Sequence, residues 1–194
     1  MNILVLGPQG SGKGTQAQRI KAIYGIPHIA TGDMLRDMKG LPTELGRELN
    51  EVMDRGELVN DELMIRLIRD RLSRGDTLGG FVLDGFPRTL PQAEALDDLL
   101  RELGRDLDAV FDFQVPDRDV LQERLLGRAS EQARSDDTPE AIQRRLELYD
   151  RETAPLVDYY RSRQANVVGV HADRTVEEVS REIQRSLESV EARA

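Results

Sequence analysis

The sequence of 194 residues contains no cysteine and no tryptophan, and aromatic side chains make up only 4% of it. Without cysteine the chain can form neither a disulfide nor a thiolate metal site, so zinc held by cysteines is excluded. No apolar run approaches the roughly 18 residues that a membrane-spanning helix needs, and the N-terminus has no secretory signal pattern. We therefore expect a cytoplasmic protein with no membrane partner.

The chain also lacks an excess of positive charge, because 36 acidic residues outnumber 27 lysines and arginines and leave a net charge of -9. A general nucleic-acid surface needs a broad basic face, so no nucleic-acid partner is expected. The length suits one main core, and we predict a single domain over residues 1–194. An acidic protein that binds a polyphosphate must gather its arginines locally.

Glycine is concentrated in residues 7–15, which read GPQGSGKGT. An apolar run over residues 2–6 precedes this stretch and a helical pattern follows it, which predicts a strand, a turn and a helix. Glycines let the backbone curl, and its amides then converge on the N-terminus of the helix, where an anion is favoured. Lys13 can reach the outer phosphates of a nucleotide, and Thr15 offers a hydroxyl near bound magnesium. A plain glycine turn would not explain Lys13, and the stretch therefore predicts a nucleotide phosphate site.

Short apolar runs alternate with helical patterns along the chain, and this alternation predicts a parallel sheet between helices. The expected class is α/β, with a P-loop NTPase-type parallel five-stranded sheet flanked by helices. The predicted strands lie at residues 2–6, 26–30, 81–84, 109–115 and 166–170. The predicted helices cover residues 14–24, 42–55, 60–74, 90–104 and 117–127, and others begin at Thr31, Thr138 and Thr175. Residues 31–60 carry no strand pattern, which indicates a helical insertion beside the sheet.

Asp84 ends the predicted strand 81–84 on the carboxyl side, and ligands bind at that edge of an open parallel sheet. Residues 128–137 are polar and nearly devoid of apolar side chains, so we expect a surface loop there. Pro155 should kink the long helix that begins at Thr138.

Five segments, in this order, resemble motifs of the adenylate kinase family across essentially the whole chain. Residues 7–15 are similar to the family's G-x-P-G-x-G-K-G-T, including Gly14, where most phosphate loops have serine or threonine. The other matches are Thr31-Gly32-Asp33 with Arg36, Gly56-Glu57-Leu58-Val59, Asp84-Gly85-Phe86-Pro87-Arg88 with Gln92, and Arg124, Arg128, Arg134 with Asp136-Asp137, and Arg145. Gln9 stands in place of the usual proline, and Ala30 in place of the common serine.

The resemblance implies reversible, magnesium-dependent transfer of a phosphoryl group from ATP to AMP, which gives two ADP. It places ATP against Gly10, Ser11, Gly12, Lys13, Gly14, Thr15, Arg124, Arg128 and Arg174. It places AMP against Thr31, Arg36, Glu57, Leu58, Val59, Gly85, Phe86, Pro87, Arg88, Gln92, Arg134 and Arg145. The expected catalytic residues are Lys13, Arg88, Arg128, Arg134 and Arg145, since phosphoryl transfer needs alignment and positive charge more than covalent work.

The resemblance also implies Mg²⁺ that arrives with ATP, is held by phosphates and water, and meets Asp84 only through water. The predicted short lid, residues 128–137, has no cysteine, which excludes the zinc-bound lid of some family members. Lid and insertion should both close on substrate to shut out water. The expected partners are the nucleotides ATP, AMP and ADP, and a monomer is favoured because closure needs free surfaces.

A UMP/CMP kinase, which shares the fold and most motifs, is the nearest alternative. Two residues favour AMP. Pyrimidine-specific relatives tend to have alanine at the position of Thr31, and Gln92 suits the hydrogen-bonding edge of adenine. A P-loop switch or hydrolase fits less well, since the sequence has no N-K-x-D segment for guanine and Gly85, not glutamate, follows Asp84.

Overall fold

The computed structural model describes residues 1–131 and 138–192, and for residues 128–131 it describes the backbone alone. Its strands are β1 (Asn2–Leu6), β2 (His28–Ala30), β3 (Phe81–Asp84), β4 (Ala109–Gln114) and β5 (Val167–His171). They form one five-stranded sheet in the order β2-β3-β1-β4-β5, and every neighbouring pair is parallel. The predicted α/β class and five-stranded parallel sheet are therefore confirmed.

Helices alternate with these strands along the chain. They are α1 (Lys13–Tyr24), α2 (Thr31–Lys39), α3 (Glu44–Asp54), α4 (Asp61–Leu72), α5 (Leu90–Glu102), α6 (Arg118–Glu131), α7 (Pro139–Leu148), α8 (Leu156–Ser162) and α9 (Val176–Glu191). A 3-10 turn covers Gly75–Thr77 and a π-helical turn covers Tyr149–Thr153. In the part of the chain that the structure describes, no helix is both long and apolar enough to cross a bilayer.

Side chains of β1 alternate between two hydrophobic cores, one on each face of the sheet. Leu4 and Leu6 belong to one cluster, whereas Ile3 and Val5 belong to the other. All four are buried, with at most 2% of their surface exposed. A strand buried on both faces carries apolar residues at every position, which explains the continuous apolar run in the sequence.

The helices differ in how their N-termini are capped. Side-chain caps are present at Thr43, Asn60, Thr89, Thr138 and Thr175. In contrast, α1 begins after Gly12 with no side-chain cap, so its first N–H groups are available to a ligand. The start of α2 also has no side-chain cap, although Thr31 and Asp33 lie in its first turn.

The helix α6 extends past its predicted end. The sequence suggests a stop near Gly127, but the helix continues to Glu131. A single glycine inside a helix costs only about 1 kcal/mol, and glutamate is a good helix former. The first part of the predicted lid, residues 128–131, therefore belongs to α6, and residues 132–137 lie outside the described residues.

Pro155 interrupts the long helix, as predicted. The segment between α7 and α8 is a π-helical turn, in which Ala154 N donates to Tyr149 O at 2.8 Å. Proline has no N–H and its ring crowds the preceding turn, so the wider turn accommodates it. The same turn places Thr153 near the end of β3, where it takes part in the site described below.

The predicted insertion, residues 31–60, contains α2 and α3 and no strand. Leu35 and Met53 are buried in a cluster that also includes residues of the sheet, so the insertion shares the main core. Gly56 has a φ of 70°, and a Cβ on it would lie 2.5 Å from Ala141 O. The end of the insertion therefore lies directly against α7.

Candidate active site

A cleft of about 670 Å³ opens at the carboxyl edge of the sheet, where open parallel sheets place their ligands. We call the part lined by residues 9–18 the loop arm, and the part lined by residues 30–36, 53–64 and 85–92 the insertion arm. The volume lies within the range of about 300–1,000 Å³ that is typical of small-molecule sites. The two arms meet beside Asp84, at the end of β3.

The loop arm is built mainly from backbone. Gly10 and Gly12 have φ values of 84° and 88°, which let the chain curl into the start of α1. Lys13 folds back over this curve, and its Nζ donates to the carbonyl oxygens of Gly7 and Pro8, each at 2.7 Å. The uncapped helix and the lysine together place positive charge where phosphates would lie.

Close contacts fix the curvature of this loop. A Cβ on Gly7, whose φ is 144°, would lie 2.7 Å from both Cβ and O of Phe113 in β4. A Cβ on Gly10 would lie 2.9 Å from Leu121 O in α6. At Gly12, however, a Cβ would meet nothing within 4 Å. The loop is therefore pressed against β4 and α6 at two points and is open toward the cleft.

Asp84 lies between the arms and is held by His28 at the start of β2. The His28 Nε2 to Asp84 Oδ2 distance is 3.2 Å. Burial alone would raise the pKa of Asp84, but the hydrogen bond from His28 and the charges of Lys13 and Arg88 outweigh burial and lower this pKa. Among the described residues, no three histidine, cysteine, aspartate or glutamate side chains converge as they would in a protein-built metal site. Asp84 is thus an ionised carboxylate that faces the loop.

Arg88 places a partly buried positive charge in the insertion arm. Its Nε donates to Gly85 O at 2.8 Å. Burial and the nearby charges of Arg145 and Arg36 lower the pKa of Arg88 from its ordinary value, and Asp84 opposes this change only in part. Arginine remains protonated in proteins, so three guanidinium groups repel one another here. An anion between them would relieve that repulsion.

The turn that carries Arg88 is fixed from two sides. Gly85 has a φ of 83°, and a Cβ on it would lie 2.6 Å from Thr31 Oγ1, so the insertion approaches the turn closely. Thr31 Oγ1 itself donates to Asp84 O at 3.2 Å. From the other side, Thr153 Oγ1 donates to Arg88 O at 2.8 Å. The guanidinium of Arg88 is therefore presented by a backbone that both neighbours hold.

Gln92 borders the insertion arm with both ends of its amide in use. Its Oε1 accepts from Arg88 N at 2.8 Å, and its Nε2 donates to Asp61 Oδ1 at 2.6 Å. Asp61 accepts a further bond from Thr89 Oγ1 at 3.1 Å. The residue is 2% exposed, so its amide sits in a network and not in solvent.

Two arginines border the far end of the loop arm. Arg124 Nη1 donates to Ala172 O at 3.0 Å, which tethers α6 to the segment after β5. Arg174 Nε donates to His171 O at 3.2 Å, and its guanidinium pairs with Glu182. Planar guanidinium groups stack well on flat rings, so this end suits a nucleobase.

The structure brings most residues predicted for the site to the cleft. The lining includes Gly10, Ser11, Gly12, Lys13, Gly14, Thr15, Thr31, Arg36, Glu57, Leu58, Val59, Asp84, Gly85, Pro87, Arg88, Gln92, Arg124, Arg145 and Arg174. Phe86 differs, because its side chain is 1% exposed and packs in the hydrophobic core. Arg128 lies in α6 and its side chain is outside the description, and Arg134 lies outside the described residues altogether.

Sequence reasoning gave no role to three residues that hold the site together. His28 contacts Asp84, Asp61 contacts Gln92, and Thr153 contacts the carbonyl of Arg88. Asp61 looks like an ordinary acidic residue in the first turn of a helix, and Thr153 like a polar helix residue. Each contact joins segments more than 25 residues apart in the chain, so no local pattern could indicate it.

Comparisons with known proteins agree with this geometry. A family model for adenylate kinase matches residues 5–165. An adenylate kinase of Stenotrophomonas maltophilia (strain K279a) is 50% identical over 163 residues, which cover 84% of this chain and 87% of the relative. The adenylate kinase of Xanthomonas euvesicatoria pv. vesicatoria (strain 85-10) is 44% identical over 188 residues, covering 95% of this chain and 100% of the relative. That of Archaeoglobus fulgidus is 40% identical over 218 residues, covering 99% and 100%. This chain belongs to the adenylate kinase family.

Proposed function

We propose that the two arms of the cleft hold the two substrates of the adenylate kinase reaction, with ATP in the loop arm and AMP in the insertion arm. The enzyme transfers the terminal phosphoryl group of ATP to AMP, and two ADP result. Because both arms open on Asp84, the reacting phosphates would meet between the start of α1 and the guanidinium of Arg88.

The observation that supports this proposal most is the group of partly buried positive charges in the insertion arm, which shares one cleft with the uncapped start of α1. Arg36 and Arg145 lie close enough to Arg88 to lower its pKa, so three guanidinium groups gather in the insertion arm, where Arg36 also pairs with Asp33. In phosphoryl transfer, charge spreads over several oxygens, and preorganised cations stabilise that state. Arginine forks also bind phosphate oxygens in pairs, which aligns the two substrates.

In the loop arm, the amides at the start of α1 and the ammonium of Lys13 would bind the outer phosphates of ATP. Lys13 must leave the carbonyls of Gly7 and Pro8 to do so, and its flexible chain permits that movement. The adenine of ATP would lie at the far end, against Arg124 and the segment at Arg174.

In the insertion arm, Arg88 and Arg36 would bind the phosphate of AMP, and Arg145 would approach from α7. Glu57, Leu58 and Val59 line the wall where the nucleoside would lie, and Gln92 lies at the end where its base would lie. Phe86 acts here through its backbone alone, since its side chain is in the core.

The donor set of the cleft fits magnesium that arrives on phosphates. Asp84 offers a single ionised carboxylate beside the loop, and Thr15 offers a hydroxyl, whereas magnesium requires octahedral oxygen ligands and keeps several waters. Bound there with ATP, the ion would neutralise charge that develops between the phosphates. Asp84 would hold one of its waters, and His28 would keep the carboxylate in place.

We further propose that the chain is a single kinase domain that works as a cytoplasmic monomer, with closure of residues 31–60 and 128–137 around the substrates. Closure would bring Arg128 and Arg134 to the phosphates and exclude water, which otherwise competes for the phosphoryl group. Small-angle scattering with a bisubstrate inhibitor should detect compaction of the particle, and an unchanged radius of gyration would argue against closure.

A coupled assay of ADP formation tests the function itself. We expect rapid ADP formation from ATP plus AMP and very little from ATP alone. CMP and UMP in place of AMP should react poorly, and a preference for either would indicate the UMP/CMP kinase alternative. Equal turnover with and without an acceptor would instead indicate a hydrolase.

A further inference from the structure

The orientation of the Gln92 side-chain amide is set by two partners of opposite character. The backbone N–H of Arg88 can only donate, so it requires the amide oxygen. The Asp61 carboxylate accepts, so it requires the amide nitrogen. Turning the amide over would place donor against donor and acceptor against acceptor. Because Gln92 is only 2% exposed, water could not satisfy these groups instead. The chemistry of the two neighbours therefore fixes which end of the Gln92 amide is the oxygen.

Asp61 is itself held rigidly. It is the first residue of α4, directly after the Asn60 cap, and Thr89 Oγ1 donates to its second oxygen at 3.1 Å. Thr89 in turn caps α5, the helix that carries Gln92. Asp61 thus joins the starts of two helices and presents its carboxylate in one direction.

A fixed amide can match only one pattern on a purine edge. Each end of the Gln92 amide keeps one unused hydrogen-bonding capacity: a second N–H on Nε2 and a second lone pair on Oε1. A 6-aminopurine offers a donor at position 6 and an acceptor at N1, which complements this order. A 6-oxopurine offers an acceptor at position 6 and a donor at N1, so it requires the reversed amide.

We propose that Asp61 is a positioning residue that determines acceptor specificity: by holding the Gln92 amide in one orientation, it favours 6-amino over 6-oxopurine monophosphates. This inference rests on the proposed function, because it needs the base of the acceptor to lie at Gln92. It assigns discrimination among purines to a carboxylate that itself contacts no nucleotide.

The test compares AMP with inosine monophosphate as acceptors for the full-length enzyme and for Asp61→Leu, which removes the acceptor at similar size. The ratio of kcat/KM for AMP to that for inosine monophosphate should fall by about tenfold in Asp61→Leu, the factor that follows when one charge-assisted hydrogen bond no longer favours one orientation. In Asp61→Glu, which keeps a carboxylate that can only accept, the ratio should stay within about threefold of wild type. A purely structural role would lower both activities together and leave the ratio unchanged.

Two further variants distinguish a failure of the Asp61 inference from a failure of the proposed base site at Gln92. Gln92→Leu removes the amide that would contact the base. The ratio of kcat/KM for AMP to that for inosine monophosphate should then fall at least as far as in Asp61→Leu. If Gln92→Leu lowers the ratio and Asp61→Leu does not, the inference is wrong and the proposed base site stands. If neither lowers it, the base lies elsewhere and both are wrong. If Asp61→Leu does not fold, Asp61→Ser provides the same comparison, because a hydroxyl can rotate to suit either orientation of the Gln92 amide. An unchanged ratio in Asp61→Ser would also overturn the inference.

Discussion

The two arms of the cleft differ in the kind of group that each one offers to a phosphate. In the loop arm these groups are backbone amides together with Lys13, and the curvature of the loop follows from glycines with positive φ values that lie against β4 and α6. In the insertion arm they are side chains whose positions depend on contacts from other segments: Asp61 holds the Gln92 amide, and Thr153 holds the backbone carbonyl of Arg88. Binding by backbone amides should tolerate changes of side chain but not a bulkier residue at a glycine. Binding by side chains should weaken when a distant polar residue that positions them is changed.

The largest effect should come from removing the charge of Arg88 in the insertion arm. We expect Arg88→Met to lower kcat for ADP formation by about a thousandfold or more, since a cation at the transferred phosphoryl group is worth about 10³–10⁵ in rate. The fold should persist, because methionine fills similar space and ends the repulsion from Arg36 and Arg145. Steady-state kinetics and a thermal melt measure both quantities.

The matched control is Arg101→Met, which removes an exposed arginine paired with Asp98 on the surface of α5. It should leave kcat within about twofold of wild type, as is usual for exposed ion pairs. A comparable loss in both variants would mean that general charge, and not the place of Arg88, supports the reaction.

The same contrast explains how much the sequence could reveal. The loop arm is nearly all local, since residues 7–15 contain its glycines, its lysine and the start of its helix, so its structure could be predicted from the pattern alone. Buried strands such as β1 were equally clear, because each reads as a continuous apolar run. Among the side chains that the structure describes, the site residues supplied by the family resemblance also line the cleft, with Phe86 as the exception. Arg128 and Arg134 stay predictions.

What could not be predicted depends on contacts distant in the chain. The sequence suggests Gln92 as a base-reading residue, but it cannot indicate that Asp61 and the Arg88 N–H already hold both ends of its amide. The end of α6 was misplaced for a different reason. A polar run without proline is compatible with both helix and loop, and one glycine is too weak a signal to decide between them.

Two glycine substitutions test whether the steric clash of an added Cβ destabilises the loop arm. Gly7→Ala should lower the free energy of unfolding by about 4 kcal/mol, because the new Cβ would add a clash with Phe113 to the strain of its φ. Gly12→Ala carries only the strain of a left-handed φ, since nothing lies near its Cβ, and should cost about 1 kcal/mol. Urea unfolding measures both. Equal losses would show that backbone strain, and not the contact with β4, limits this loop.

AMP binding in the insertion arm should weaken when a polar side chain with no proposed substrate contact is replaced. Thr153→Val keeps the shape of a buried side chain and leaves the Arg88 carbonyl without its donor. We expect the KM for AMP to rise about fivefold with the KM for ATP nearly unchanged, because one hydrogen bond of about 1 kcal/mol positions this turn.

The control for this change is Thr77→Val, at another buried threonine, whose single hydroxyl hydrogen is shared between the carbonyls of Leu72 and Arg74, each 2.8 Å from Oγ1. It should cost similar stability and leave both KM values unchanged. If Thr77→Val raises the KM for AMP as well, the effect of Thr153→Val reflects general softening and not the position of Arg88.

The smallest expected effect lies in the loop arm, at its departure from the family pattern. The bond from Ser11 N to Pro8 O at 3.2 Å and the φ of 84° at Gly10 describe a type II turn with Gln9 in its second position. Proline is well suited to that position, and Oε1 of Gln9 is buried without a hydrogen-bond partner among the described residues. Gln9→Pro should therefore raise the free energy of unfolding by about 1 kcal/mol, through a stiffer unfolded chain and the loss of an unsatisfied acceptor.

Gln9→Ala separates these two contributions, because it removes the acceptor without adding rigidity and should give about half of the gain. In both variants kcat should change by less than about threefold, since the phosphate-binding groups of this arm are amides and Lys13, and the turn itself is retained. Urea unfolding and the coupled assay measure the two quantities on the same preparations. A large loss of kcat in Gln9→Pro would contradict the contrast between the arms, because it would show that a side chain or an N–H at this position takes part in binding, as in the insertion arm.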